Sequence, residues 1–182
     1  YRGDDGVIPA VGTRAGEPAV RAWQDVYFDV FLPAATDAHP RPASGWPVAI
    51  WGHGQGGNKD LTSFAVASSF AAEGVATVAI NAAGHGFGPC GTSTVETTPA
   101  SGRGTLVLPS GGRGADRNGD GVIGDDEAFL AAPDTSLVWI RDGVRQTAVD
   151  LMQLVRVIEV GMDVDGDGTP DLDPGRIYYV GQ

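Results

Sequence analysis

The sequence is poor in cysteine and contains no long apolar run. Cys90 is the only cysteine among the 182 residues, so no disulfide can form within them, although Cys90 could pair with a segment outside them. No stretch reaches the roughly 20 apolar residues that a membrane-spanning helix needs, because Ser68, Ser69 and Glu73 interrupt the most apolar region. A secretory leader is also missing, and the chain begins at Tyr1 rather than at Met. We therefore interpret it as a processed or trimmed form.

Basic residues are scarce as well. Lys59 is the only lysine, and 12 basic against 23 acidic side chains give a formal net charge of −11 at pH 7. Nucleic-acid binding needs a basic surface, so this composition argues against a nucleic-acid partner. The carboxylates are concentrated in the ranges 116–127 and 163–173. This clustering indicates cation sites rather than a generally acidic surface.

The length and the 42% of hydrophobic residues predict one sizeable core, organised around a βαβ unit. The apolar run Pro47–Trp51 stops at a glycine-rich turn, 52–57, which predicts a buried strand that leads into a helix. Apolar residues at helical spacing from Asp60 onwards, followed by Gly74, predict a helix that ends at that glycine. The run Val75–Ile80 then adds a parallel strand. Open α/β sheets bind ligands at the carboxyl ends of such strands.

Four further segments complete the predicted organisation. The alternating run Asp25–Leu32 predicts a strand, and Ile177–Val180 predicts another. Gly143–Val160 carries an apolar stripe that is typical of an amphipathic helix. Between them, the range 89–140 is too long for a tight connection, and only Thr105–Leu108 within it predicts a strand. We interpret 89–140 as an insertion above the carboxyl ends of the strands, where lids lie.

Several of these pieces, in their order, carry a resemblance to a known family. They are His53-Gly54-Gln55-Gly56-Gly57, Gly84-His85-Gly86, the helix 141–156, and the strand 176–180 followed by Gly181-Gln182. Together they resemble the α/β-hydrolase fold, and within it the secreted bacterial lipases and esterases, over nearly everything from Asp25 onwards. The resemblance implies an α/β fold with a mostly parallel sheet flanked by helices, of which 1–182 form the N-terminal part of a single domain. Gly181 would open the nucleophile elbow Gly-x-Ser-x-Gly, with the serine directly after Gln182.

The resemblance also implies a function and roles for individual residues. Such enzymes hydrolyse carboxylic esters through a serine acyl-enzyme, and two main-chain N–H groups stabilise the negative oxygen. By this carry-over Gln55 offers a main-chain N–H, Gly54 allows close approach and His53 braces the turn. The family order of the triad gives His53 and His85 structural roles rather than that of general base, with His85 lining the cleft. The alternatives are that the turn only connects a strand and a helix, or that one of the histidines acts in catalysis.

A separate motif, 116–127, fits the calcium loop of an EF-hand. Oxygen ligands stand at positions 1, 3 and 5, glycine at 6, an apolar residue at 8 and glutamate at 12. The candidate ligands are Asp116, Asn118, Asp120, the carbonyl of Val122, and Glu127. The alternative is a solvated acidic turn without metal.

The range 163–173 is a second, variant loop. It keeps aspartate at positions 1, 3 and 5 and glycine at 6, but Pro174 stands where the glutamate belongs. The candidate ligands are Asp163, Asp165, Asp167, Thr169, Asp171 and Asp173, with Asp171 or Asp173 in place of the glutamate. Calcium in these loops would pin the insertion and the approach to the elbow, and it indicates a protein that is secreted or held at a bacterial cell surface.

Two functions of different class follow from the sequence. In the first, the chain is the N-terminal part of a calcium-stabilised serine esterase or lipase that acts on an ester or lipid. A C-terminal continuation or a second polypeptide then supplies the triad and completes the fold. In the second, the chain is a non-catalytic extracellular calcium-binding module on a hydrolase-like scaffold, since no complete triad can be named within it. A sheet that ended at Val180 would leave an open edge, which favours the first function.

Overall fold

The computed structural model describes residues 22–97, 102–124, 127 and 136–182. The described strands are β1 (Phe28–Phe31), β2 (Trp46–Gly52), β3 (Ala76–Ile80), β4 (Thr92–Thr97), β5 (Gly104–Pro109) and β6 (Leu172–Gly181), and the helices are α1 (Lys59–Ala72) and α2 (Ser136–Val160). β1 is shorter than the sequence predicts, α2 begins before the predicted Gly143, and β4 was not predicted. Within these ranges, neither helix has the length and apolar character needed to cross a membrane.

The main sheet has four strands in the order β1-β3-β2-β6. β1 runs antiparallel to β3, whereas β3 and β6 both lie parallel to β2. The chain leaves β2 through α1 to reach β3 on one side, and returns through α2 to β6 on the other side. The direction of winding therefore reverses at β2, and the carboxyl end of β2 is the position where α/β sheets open a binding crevice.

The apolar core lies between the sheet and α2. Its buried members are Trp46, Val48, Ile50, Ala76, Val78, Ile80, Leu154, Ile158, Met162 and Leu172. The strand residues alternate along β2 and β3, since successive side chains of a strand point to opposite faces. Ile158 is completely buried, so α2 contributes to the core through the face predicted from its apolar stripe.

The opposite face of the sheet is covered by α1 and is lined by smaller side chains such as Ala49 and Ala79. Trp51 Nε1 donates a hydrogen bond of 3.1 Å to Thr62 Oγ1, which joins β2 to α1. α1 ends at Ala72, two residues before Gly74. The φ of 70° at Gly74 is the left-handed conformation predicted for that glycine. The sheet is thus sandwiched between two helices on opposite faces.

A polar hub, formed by Lys59, Asp29, Asp60, Ser93 and Ser110, joins β4 and β5 to the sheet and its helices. The Lys59 ammonium is 1% exposed and lies 2.9 Å from each of Asp29 Oδ1, Asp60 Oδ1 and Ser110 Oγ. Ser93 Oγ donates to the same Asp60 oxygen at 2.8 Å. Because Ser93 lies in β4 and Ser110 follows β5, the hub anchors the base of the antiparallel hairpin β4–β5 to the start of α1.

Candidate functional site

The carboxyl ends of β2 and β6 bring the two predicted turns together. Gln182 N donates a hydrogen bond of 3.1 Å to Gly52 O, which extends the pairing of the two strands to their ends. A Cβ atom added to Gly54 would lie 3.7 Å from Gln182 O, so the two main chains are neighbours there. The turn His53–Gln55 and the segment Gly181–Gln182 therefore lie side by side at one edge of the sheet.

His53 fixes the turn after β2 to the loop after β3. Its Nε2 accepts a hydrogen bond of 2.9 Å from Ala82 N, and its Nδ1 lies 2.9 Å from Gly54 O. Since Nε2 accepts, the proton sits on Nδ1 and is donated to the carbonyl of Gly54. Both ring nitrogens are thus engaged with main-chain groups, an arrangement that suits a bracing residue better than a general base.

The turn that contains His85 lies next to His53 and is fastened to the end of the insertion. The two imidazole rings are 5.1 Å apart between centroids, and His85 is 4% exposed. Arg113 N donates to His85 O at 2.8 Å, and Gly114 N donates to Phe87 O at 2.7 Å. The main chains of 84–88 and 112–114 are therefore joined by hydrogen bonds, and the position of His85 depends on the residues 112–114.

α2 holds the same loops from the other side. Arg113 Nη1 donates to Asp150 Oδ2 at 2.5 Å, and its side chain is 6% exposed. It also reaches the carbonyl of Asn81, at the end of β3, at 3.4 Å. Thr147 Oγ1 accepts a hydrogen bond of 3.0 Å from Ala83 N. One face of α2 thus supports the loop after β3 through polar contacts.

β6 is one of the two edge strands of the main sheet among the described strands, and β1 is the other. Tyr178, Tyr179 and Val180 are exposed on it. The phenol of Tyr179 lies directly against Gly52, where a Cβ atom would overlap the ring. Gly52 is therefore required for the close approach of β2 and β6 next to the predicted site.

The first acidic loop is organised around two carboxylates. Asp116 Oδ2 accepts a hydrogen bond of 2.9 Å from Gly121 N, and Glu127 Oε1 accepts one of 3.0 Å from Asn118 N. Main-chain N–H groups, the largest contribution coming from Gly124, hold the pKa of Glu127 below its ordinary value. Oxygens of the three acidic ligands predicted from the sequence, Asp116, Asp120 and Glu127, lie within 4.8 Å of one another. This group could hold a metal ion.

The first loop is also attached to the rest of the molecule. The Arg117 guanidinium lies 3.5 Å from the ring centroid of Trp139 in α2, a cation–π contact. The apolar residue of the loop, Ile123, packs against Gly88 and Gly114, where added Cβ atoms would lie 2.6 and 2.9 Å from its methyl groups. The loop thus rests on the turn 84–88 beside His85.

The second acidic loop repeats the hydrogen bonds of the first. Asp163 Oδ2 accepts from Gly168 N at 2.9 Å, as Asp116 does from Gly121. Asp171 Oδ2 accepts from Val164 N at 2.7 Å and takes the place that Glu127 has in the first loop.

Asp171, and not Asp173, therefore takes the place of the missing glutamate in the second loop. Oxygens of Asp163, Asp165 and Asp171 lie within 4.8 Å of one another and form a second group that could hold a metal ion. Carboxylate oxygens are hard ligands, which suit a hard cation.

Other predicted ligands of the second loop have different partners. Asp173 accepts hydrogen bonds from Arg176 Nε at 2.6 Å, Gly175 N at 2.8 Å and Ser44 Oγ at 2.9 Å. These bonds, with that from Arg176 the strongest, hold the pKa of Asp173 below its ordinary value. Thr169 N donates to an oxygen of Asp167 at 2.7 Å. Neither Asp167 nor Asp173 belongs to the group of three carboxylates described above.

Sequence reasoning missed Arg41 and Lys59 as centres of the charged clusters. Arg41 Nη2 lies 2.8 Å from Asp171 Oδ1, and Nη1 lies 3.3 Å from Asp167 Oδ2. No local motif links position 41 to position 171, and only the parallel placement of β2 beside β6 brings them together. The unusual isolation of a single lysine was the one available signal for Lys59.

Comparison of this chain with models of protein families, with curated protein sequences and with solved structures found no match.

Proposed function

We propose that the protein is a carboxylic ester hydrolase of the lipase or esterase type, which acts through a serine acyl-enzyme. The serine is expected directly after Gln182. The observation that carries the proposal is the adjacency of His53–Gln55 and Gly181–Gln182 at the carboxyl edge of the sheet. An N–H group of the first turn and one that follows the nucleophile must reach the same substrate oxygen, so the two turns have to be neighbours.

In this proposal Gln55 supplies one N–H group of the oxyanion hole. Gly54 lies beside Gln182, and an added Cβ atom there would meet Gln182 O only at an ordinary contact distance of 3.7 Å. His53 holds the turn rigid through the hydrogen bonds to Ala82 and Gly54. A rigid donor stabilises the negative oxygen of the tetrahedral intermediate without reorganisation, and one such donor contributes about 10²- to 10³-fold to the rate.

The strand order supports the same proposal. β2 lies at the reversal of winding, with β3 on one side and β6 on the other. In the proposed arrangement the two strands that lead into the elbow and into the oxyanion turn likewise have to be neighbours, because both turns donate to one oxygen. The exposed β6 edge, with Tyr178 and Val180 uncovered, leaves space for a C-terminal continuation or a second polypeptide that would complete the sheet.

Calcium is the metal that we propose for the two acidic loops. The first loop would stabilise the insertion, since Ile123 packs on the turn beside His85. The second would stabilise the start of β6, since Asp171 N donates to Met162 O at 2.8 Å and Trp46 N donates to Asp171 O at 2.7 Å. Bound calcium would supply only charge and rigidity here, and neither loop takes part in ester chemistry. Weak structural calcium sites suit a protein that is secreted or held at a bacterial cell surface.

The proposal is tested by intact-mass spectrometry before and after reaction with a fluorophosphonate, which labels activated serines. We expect one label, either on the residue directly after Gln182 in a continuing chain or at the start of an accompanying polypeptide. A folded protein that takes up no label would contradict the esterase proposal.

A pair of variants tests the oxyanion role of Gln55. Gln55→Pro removes the main-chain N–H group, whereas Gln55→Ala keeps it and removes only the side chain. We expect hydrolysis of a nitrophenyl ester to fall about 10²- to 10³-fold in the proline variant and to change little in the alanine variant. Equal rates in the two variants would show that this N–H group is not a donor.

The second candidate function is a non-catalytic extracellular calcium-binding module. It is favoured by the two acidic loops, each of which brings three carboxylates within 4.8 Å of one another and contains hydrogen bonds within the loop itself. If the protein takes up no fluorophosphonate but unfolds at a higher temperature in calcium, this function is the better one.

A further inference from the structure

Arg41 lies in the connection between β1 and β2 and reaches the second acidic loop from outside it. Its guanidinium nitrogens lie 2.8 Å from Asp171 Oδ1, 3.3 Å from Asp167 Oδ2 and 3.9 Å from Asp165 Oδ2. Two of these carboxylates, Asp165 and Asp171, belong to the group that could hold a metal ion. A positively charged group of the protein itself therefore already occupies one side of that group.

The first acidic loop is different in this respect. Its own arginine, Arg117, is stacked over Trp139 at 3.5 Å. Among the residues that the structure describes, no arginine forms an ion pair with Asp116, Asp120 or Glu127. Among the described residues, the two loops therefore have similar hydrogen bonds but differ in their contacts with a guanidinium group.

We propose that the guanidinium of Arg41 neutralises carboxylates of the second loop when no metal is bound. It then competes with calcium for these carboxylates. This inference rests on the proposed binding of calcium to the loops. A calcium ion bound among Asp163, Asp165 and Asp171 would be repelled by the guanidinium a few ångströms away. It would also have to displace the guanidinium from Asp171 Oδ1. The second loop is therefore the weaker calcium site, and the first loop is the site that depends on metal.

The burial of Asp171 explains why the second loop needs a cation of its own. Asp171 is 1% exposed, and a buried carboxylate without a counter-charge is strongly destabilising. Its Oδ2 is already engaged by Val164 N at 2.7 Å, so Arg41 is the partner of the other oxygen. When Arg41 is removed, the N–H groups still hold Asp171 in place, and the free oxygen becomes available to a metal.

The test is a calcium titration by calorimetry on the purified protein with the first loop disabled by Asp116→Asn and Asp120→Asn. In this background we expect Arg41→Gln to strengthen calcium binding at the second loop by about tenfold or more. Arg41→Lys keeps the charge and is expected to stay near the parent. Arg176→Gln is the matched control, because Arg176 pairs with Asp173, outside the group of three.

Unchanged or weaker binding in the Arg41→Gln variant would overturn the inference, and so would the absence of binding both with and without Arg41. The calcium proposal is judged separately, by titration of a protein with an intact first loop and with Asp163→Asn and Asp165→Asn. Should Arg41→Gln fold poorly without calcium, the rise of its unfolding temperature with calcium concentration measures the same affinity. A rise no larger than that of the parent would equally overturn the inference.

Discussion

The buried ammonium of Lys59 is the common partner of three oxygens and stabilises the fold. In Lys59→Met a side chain of similar length fills the same space without charge. The ammonium lies 2.9 Å from oxygens of Asp29, Asp60 and Ser110, so the substitution leaves two carboxylates and a hydroxyl without their common donor. Removing one partner of a buried ion pair costs about 3–5 kcal/mol.

The expected loss lies at the lower end of that range. The side chains of Asp29 and Asp60 are 25% and 30% exposed, so water partly replaces the lost ammonium. Asp60 also keeps its hydrogen bonds from Ser93 and Ser110. We therefore expect the free energy of unfolding to fall by about 3 kcal/mol. For a urea dependence of about 2 kcal/mol per molar, the unfolding midpoint moves by about 1.5 M.

Equilibrium urea unfolding, followed by tryptophan fluorescence, measures this shift. Arg103→Met is the control with the same change of charge, because Arg103 lies 3.9 Å from Glu96 in a pair whose side chains are 77% and 70% exposed. Such surface pairs contribute only about 0–1 kcal/mol. If Lys59→Met and Arg103→Met shift the midpoint equally, the hub around Lys59 does not anchor the hairpin as we argue.

Three further predictions concern the core, the site and the pH dependence. Ile158→Ala removes a completely buried side chain and is expected to cost about 2–5 kcal/mol in urea unfolding, while Val157→Ala, at a residue 41% exposed, is expected to cost much less. In Gly112→Ala the new Cβ would overlap a neighbouring main-chain carbonyl, whereas in Gly54→Ala it would meet Gln182 O only at 3.7 Å. Circular dichroism should therefore show a lower unfolding temperature for Gly112→Ala but not for Gly54→Ala.

Burial raises the pKa of Asp29 above 3.8 despite Lys59, so its contribution to stability decreases as the pH rises from that value through the raised pKa. The difference in stability between the parent and Asp29→Asn should fall over the same interval and then stay constant, as measured by urea midpoints at several pH values. A difference that grows with pH would contradict this sign.

The parts of the fold that depend on local sequence were predictable. The end of α1 at Gly74 follows from a glycine placed after a helical apolar stripe, and the parallel βαβ unit follows from two apolar runs around that helix. β4 was missed because Thr92–Thr97 is mostly polar. Its strand conformation comes from pairing with β5, which local propensity does not reveal.

The site was predictable in part for the same reason. The acidic loops are local motifs, and the sequence left open whether Asp171 or Asp173 closes the second one. That choice depends on distant residues: Arg41 binds Asp171, while Ser44 and Arg176 bind Asp173. Contacts of this kind arise from the placement of strands in the sheet, so no spacing rule could have supplied them.

Continuous contacts connect the hairpin β4–β5, the first acidic loop and the carboxyl edge of the main sheet. Lys59 binds Ser110 at the end of the hairpin. The residues that follow Ser110 form main-chain hydrogen bonds with the turn that contains His85. Arg113 then joins that turn to α2, and Ile123 of the first acidic loop packs on it. Because these contacts are continuous, a metal bound in the first loop would restrain the turn beside His53 without touching it.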